Sequence, residues 1–106
     1  MNNSQKMLEA LDQQDLAKAD TYFQKAVDED SDEILLELAS YLEGIGFYPQ
    51  ARQIYEKLAP VFPEVNLSLA SIASEDGQIE EAFEYLEKID PESDWYLSAL
   101  VLKADL

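Results

Sequence analysis

Residues 32–63 read DEILLELASYLEGIGFYPQARQIYEKLAPVFP, and this stretch decides the fold. It holds two helical patterns separated by a turn. Leu35, Leu38, Ala39 and Leu42 recur at i, i+3, i+4 and i+7, which places them on one face of a helix. The second pattern is Ala51, Tyr55 and Leu58, at i, i+4 and i+7. Gly46, between them, suits the left-handed conformation that ends a helix. Pro49 follows, where the first turn of a helix tolerates its missing N–H. Pro60 and Pro63 close the second pattern.

The same arrangement returns on both sides of this stretch. Ala19-x3-Phe23-x2-Ala26 precedes it and Ala82-x3-Leu86-x2-Ile89 follows it. The three alanines lie 32 and 31 residues apart. A small residue followed by larger ones on one face suits close approach by a neighbouring helix. Gly77 stands five residues before Ala82, as Gly46 stands five before Ala51. Leu67, Leu69, Ala70 and Ala73 supply the leading helix of the third unit. In the first unit the leading helix is degenerate, and Gln14 or Asp15 takes the glycine's place. Asp90 and Pro91 close the third unit and fit the cap and first residue of a final helix. A fixed period of this length marks a repeat architecture, in which stacked helix pairs bury a continuous core.

The middle unit resembles a tetratricopeptide repeat nearly throughout. Leu35 stands at the motif's Trp, Leu38 and Ala39 at its Leu-Gly pair, and Leu42 at its Tyr. Gly46, Tyr48, Ala51, Tyr55 and Pro63 match, while Leu58 replaces a small residue. The third unit keeps Leu69, Ala70, Gly77, Ala82 and Leu86 but is shorter than the usual length of about 34 residues. In the tail, Trp95 and Leu102 resemble the Trp and Tyr positions of a fourth, half-length repeat. The resemblance implies an all-α fold, a right-handed superhelix of about seven helices in antiparallel pairs. One domain over 1–106 is expected, with repeats at 1–31, 32–62, 63–91 and 92–106. The expected helices are 3–13, 15–29, 32–45, 48–60, 63–76, 78–89 and 91–106. The expected core includes Phe23, Ala39, Ala51, Tyr55, Leu69, Ala70, Ala82 and Leu86. The tail stops inside an apolar pattern with no polar capping helix, so the chain is expected to be the N-terminal piece of a longer bacterial protein.

Composition narrows the function. Hydrophobic residues make up 47%, enough for a packed core. The net charge of −16 comes from 23 acidic and 7 basic side chains. Such a surface repels phosphate backbones and anionic membranes, so neither nucleic acid nor membrane is an expected partner. No Cys or His is present, which removes thiolate and imidazole metal sites and the usual nucleophile–base pairs. The three glycines form no phosphate-binding loop. The acidic run Asp28–Glu33 superficially resembles a calcium loop, but Glu33 stands where that loop needs glycine. No enzyme activity, cofactor or metal is expected. No signal-peptide core or membrane-length apolar run is present, and a cytoplasmic location is the expectation.

The resemblance also implies a binding surface. In this family the first helix of each pair lines a concave groove. The corresponding residues are Glu33, Leu36, Ser40 and Glu43 in the middle unit. They are Glu64, Leu67, Ser71, Ser74 and Glu75 in the third, and Tyr96 with Ser93, Leu100 and Lys103 in the tail. Apolar spots among carboxylates suit a protein or peptide segment with a few apolar anchors and some basic residues. Taken singly, each residue has a plainer use: Leu36 and Leu67 in packing, the carboxylates in solvation. One family subgroup clamps chaperone C-termini with Lys and Asn. Here Leu36, Glu37, Ser40, Leu67, Ser68 and Ser71 occupy those places, so no such clamp is expected. Two alternatives stand beside the scaffold reading. One is a structural module that dimerises through the last helix, with Leu97, Leu100, Val101 and Ala104. The other is part of an enzyme whose active site lies beyond Leu106.

Overall fold

The computed structural model describes residues 1–106 as seven helices without a strand. They are α1 (Asn3–Asp12), α2 (Leu16–Glu29), α3 (Asp32–Gly44), α4 (Tyr48–Leu58), α5 (Val65–Glu75), α6 (Ile79–Glu87) and α7 (Tyr96–Asp105). The chain divides into two compact units, Met1–Phe47 and Tyr48–Leu106. The first holds α1 to α3 and the second α4 to α7.

One turn recurs three times and sets the period. After α1, the amide of Gln14 donates to the Leu11 carbonyl and that of Asp15 to the Ala10 carbonyl. After α3, Gly46 donates to Glu43 and Phe47 to Leu42. After α5, Gly77 donates to Ser74 and Gln78 to Ala73. Each is the paired-bond helix ending known as the Schellman motif, which requires a left-handed residue at its centre. That residue has φ of 59° at Gln14, 88° at Gly46 and 77° at Gly77. The first repeat therefore puts Gln14, and not Asp15, in the glycine's place. The left-handed conformation costs an L-residue about 1–2 kcal/mol. Glycine's greater unfolded-state freedom returns roughly 0.5–1 kcal/mol of that. Gln14→Gly is accordingly expected to stabilise the chain by about 0.5–1 kcal/mol. Urea unfolding would show it as a higher midpoint with an unchanged slope.

The helix starts are equally local. Asn2 caps α1 through a reciprocal pair with Gln5, at 2.7 and 3.0 Å. Asp15 caps α2 at the Lys18 amide, and Ser31 caps α3 at the Ile34 amide. α4 ends at Leu58, two residues before Pro60, and Pro63 with Asn66 forms a turn ahead of α5. The largest departure from expectation is α7, which begins at Tyr96 instead of Pro91. The Asp90 carboxylate accepts from the Glu92 amide at 2.9 Å, and the Asp90 carbonyl accepts from both the Ser93 hydroxyl and the Ser93 amide. Those bonds close a self-contained turn in place of a helix start.

In the first unit α1 and α2 form a hairpin tied at its open end. The Asp30 carboxylate, at the end of α2, accepts from the Ser4 amide (2.8 Å), the Ser4 hydroxyl (2.7 Å) and the Asn3 amide and side chain. Burial works to raise the Asp30 pKa. The hydrogen bonds from Ser4 and Asn3 outweigh it and hold the carboxyl below its ordinary value. The middle of the acidic run is thus occupied in capping α1, whose free N–H groups favour a negative partner. In the second unit α5 and α6 form the corresponding hairpin, and α4 and α7 pack against it. All eight expected core residues are at most 3% exposed. Trp95, expected inside a final helix over 91–106, precedes the start of α7 and is 42% exposed.

Candidate functional site

The residues expected to line a binding surface divide between the two units, and ten of them, all but Ser93, Leu100 and Lys103 of the tail, carry the reading. Glu33, Leu36, Ser40 and Glu43 follow one another at spacings of three and four along α3. That spacing gathers them on one stripe of the helix. Glu33 and Ser40 are exposed, and Leu36 and Glu43 half-buried. In the second unit Glu64 stands just ahead of α5, Leu67, Ser71, Ser74 and Glu75 lie on it, and Tyr96 opens α7. Glu75 is exposed and the other five are half-buried. None of the ten is taken up by the core.

The structure brings three of them round one hollow. Ser71, Ser74 and Glu75 of α5 line a cavity of about 170 Å³ with Leu102 and Asp105 of α7, floored by Ala70 and Leu86. The side-chain types are those expected of the surface: two hydroxyls and two carboxylates round an apolar floor. Tyr96 does not line this hollow. A second hollow, of about 290 Å³, opens between α4 and α5 and is lined by Tyr48, Pro49, Arg52, Ile72, Glu75 and Asp76. Only Glu75 belongs to both.

Sequence reasoning missed the densest polar cluster of the chain. Arg52 on α4 donates to Glu56 on its own helix (3.1 Å), to Gln78 (3.1 Å), to Glu81 of α6 and to the Tyr85 hydroxyl (3.0 Å). The Tyr85 hydroxyl donates to Glu56 at 3.1 Å. Lys88 stands 5.3 Å over the Tyr85 ring and the Arg52 guanidinium 5.7 Å from its centroid. Burial pushes the Tyr85 hydroxyl above its ordinary pKa; Glu56 adds to the shift and Arg52 opposes it. Burial also works against the Arg52 charge, but its bonds to Glu56 and Tyr85 hold the guanidinium above its ordinary value. The cluster thus stays a protonated phenol and a cation between carboxylates. Its one sequence signal is Tyr85, which occupies the place that Ile54 holds one repeat earlier. A hydroxyl on a core-facing position calls for partners. The cluster joins α4 to α6, and four of the five Arg52 N–H groups are engaged in it.

No group of three or more His, Cys, Asp or Glu side chains is placed to hold a metal ion. No helix is long and apolar enough to cross a membrane.

Hairpins closed by one repeated turn, with accessible first-helix faces, define an α-helical repeat protein. Residues 63–90, α5 and α6 with their flanks, match the family model described as Tetratricopeptide repeat. Such repeats serve in general as protein–protein interaction scaffolds, typically without catalysis of their own. No curated protein matches the chain.

Proposed function

We propose that the chain is a non-catalytic scaffold that holds a protein or peptide segment on the first-helix faces of its repeats, in the cytoplasm. The observation that carries this reading is the hollow between α5 and α7. Ser71, Ser74 and Glu75 converge there with Asp105 over Ala70 and Leu86. Apolar floor and polar rim together are what an anchoring side chain needs. The −16 net charge favours a partner segment that carries Lys or Arg. Glu64, Leu67 and Tyr96 carry the same surface chemistry elsewhere in the second unit, and Glu33, Leu36, Ser40 and Glu43 on α3 carry it in the first.

The test is charge reversal. Proteins captured from a lysate of the native cell by the wild type are identified, and their affinity is then measured for the triple variant Glu33→Lys, Glu64→Lys, Glu75→Lys. At about 0.5 kcal/mol per exposed pair, three reversals lower affinity roughly tenfold. Circular dichroism is expected to be unchanged. Unchanged affinity with unchanged helicity would move the interaction to another face. The second reading, dimerisation through α7, is favoured by the exposed strip of Leu97, Leu100 and Val101, of which Leu97 is 73% exposed. Self-association through that strip is indifferent to the three reversals, so the same variant separates the readings.

A further inference from the structure

We propose that the hollow between α4 and α5 is an anchor site for an arginine side chain of a partner segment. It stands apart from the surface described above except through Glu75.

The walls are mainly apolar. Tyr48 presents a half-exposed ring beside Pro49, and Ile72 closes the opposite side. The volume of about 290 Å³ is on the order of ten water molecules at ~30 Å³ each. It falls just under the range of about 300–1,000 Å³ usual for whole small-molecule sites. A hollow of that size and lining takes one long side chain.

The charge at its rim is unbalanced in one direction. Glu75 is the last residue of α5 and Asp76 its C-cap. A helix C-terminus carries a partial negative charge, which favours cations and disfavours carboxylates. Only α4 and α7 place a basic residue, Lys57 and Lys103, in the last turn. α5 has no basic residue in its last turn and ends on two acids. Neither Glu75 nor Asp76 forms a salt bridge. Arg52 lines the hollow but does not answer them. Its guanidinium is engaged by Glu56, Gln78, Glu81 and Tyr85, and the carboxylates of Glu56 and Glu81 offset its charge. Three negative features therefore converge on one apolar recess with no cation of the chain to meet them.

The occupant that satisfies both parts has an apolar stem and a flat cationic head. A guanidinium stacks on a tyrosine face and forks to carboxylates, while the methylenes cover Pro49 and Ile72. An anionic or phosphorylated segment would meet Glu75, Asp76 and the helix end with like charge.

The probe is N-acetyl-arginine methylamide, titrated into ¹⁵N-labelled full chain. The control is its citrulline analogue, which has nearly the same shape without the charge. Amide shifts are expected at Tyr48, Ile72, Glu75, Asp76 and Gly77, saturating at about millimolar concentration, as one isolated anchor would. The citrulline compound is expected to leave them unmoved. In Glu75→Gln/Asp76→Asn the shifts are expected to vanish, with the rest of the spectrum unchanged as evidence of folding. The amides of Glu80, Glu84 and Glu87, exposed acids of α6 outside the hollow, serve as the reference. No shift, equal shifts at those reference amides, equal shifts with citrulline, or shifts that survive the double variant would each overturn the assignment. None of these outcomes bears on Glu33 or Glu64, so failure here is distinguishable from failure of the first-helix surface.

Discussion

Phe23→Ala is expected to lower the unfolding free energy by about 3–5 kcal/mol, the usual range for truncating a buried phenylalanine. Phe23 is 1% exposed and among the largest fully buried side chains of the chain. It lies on the inner face of α2 with Ala19 and Ala26, both small and both buried. The ring therefore supplies most of the apolar volume on that face, and neighbouring alanines have little side chain with which to fill the space. Removal costs the transfer energy of the ring and leaves a cavity whose lining loses dispersion contacts. A domain of this length has about 5–15 kcal/mol in all. The variant should therefore stand near the edge of folding. Urea titration followed by circular dichroism would measure it, and amide exchange should quicken first in α1 and α2. A loss below about 1 kcal/mol would mean that α2 does not bury this face as described.

Ala51→Leu is expected to cost about 1–3 kcal/mol by the opposite mechanism, overpacking. Ala51 is fully buried at the start of the inner face of α4, followed by Ile54, Tyr55 and Leu58, all buried. Three added carbons have nowhere to go without displaced rotamers or backbone. Gln53→Leu, on the exposed side of the same helix, is the control and should stay within about 0.5 kcal/mol of the wild type. Leucine has a helix propensity close to that of alanine, so propensity does not explain a loss at Ala51. A neutral result there would undo the idea that the alanine of each repeat is a close-approach position.

Much of the fold was legible because the chain repeats itself. Gly46 and Gly77 each stand five residues before an alanine, and the period carried the reading across to a first repeat with no glycine. The ambiguity between Gln14 and Asp15 was real, since either tolerates a helix end; only the hydrogen bonds to Leu11 and Ala10 decide for Gln14. Asp90–Pro91 misled because an aspartate capping a helix and one closing a local turn look alike in sequence. The direction was set by Ser93, which bonds back to Asp90. The Arg52 cluster was not legible. Gln78, Glu81 and Tyr85 lie 26 to 33 residues from Arg52, and charged residues on helix surfaces have no period to betray such a meeting. Of the expected binding residues, Ser71, Ser74 and Glu75 were placed together by their helix spacing. Their meeting with Leu102 and Asp105 depended on where α7 packs, which no local pattern encodes.

The bond between Asp30 and the start of α1 also bears on how the first hairpin comes apart. Helices ordinarily fray from their ends. Here the Schellman turn seals one end of the hairpin and Asp30 the other. Together they make a ring of the chain from Ser4 to Asp30, closed without a covalent link. Fraying of α1 from its first turn meets the Asn3 and Ser4 bonds at the outset. Once they are lost, side-chain packing and the Schellman turn are what hold α1 against α2.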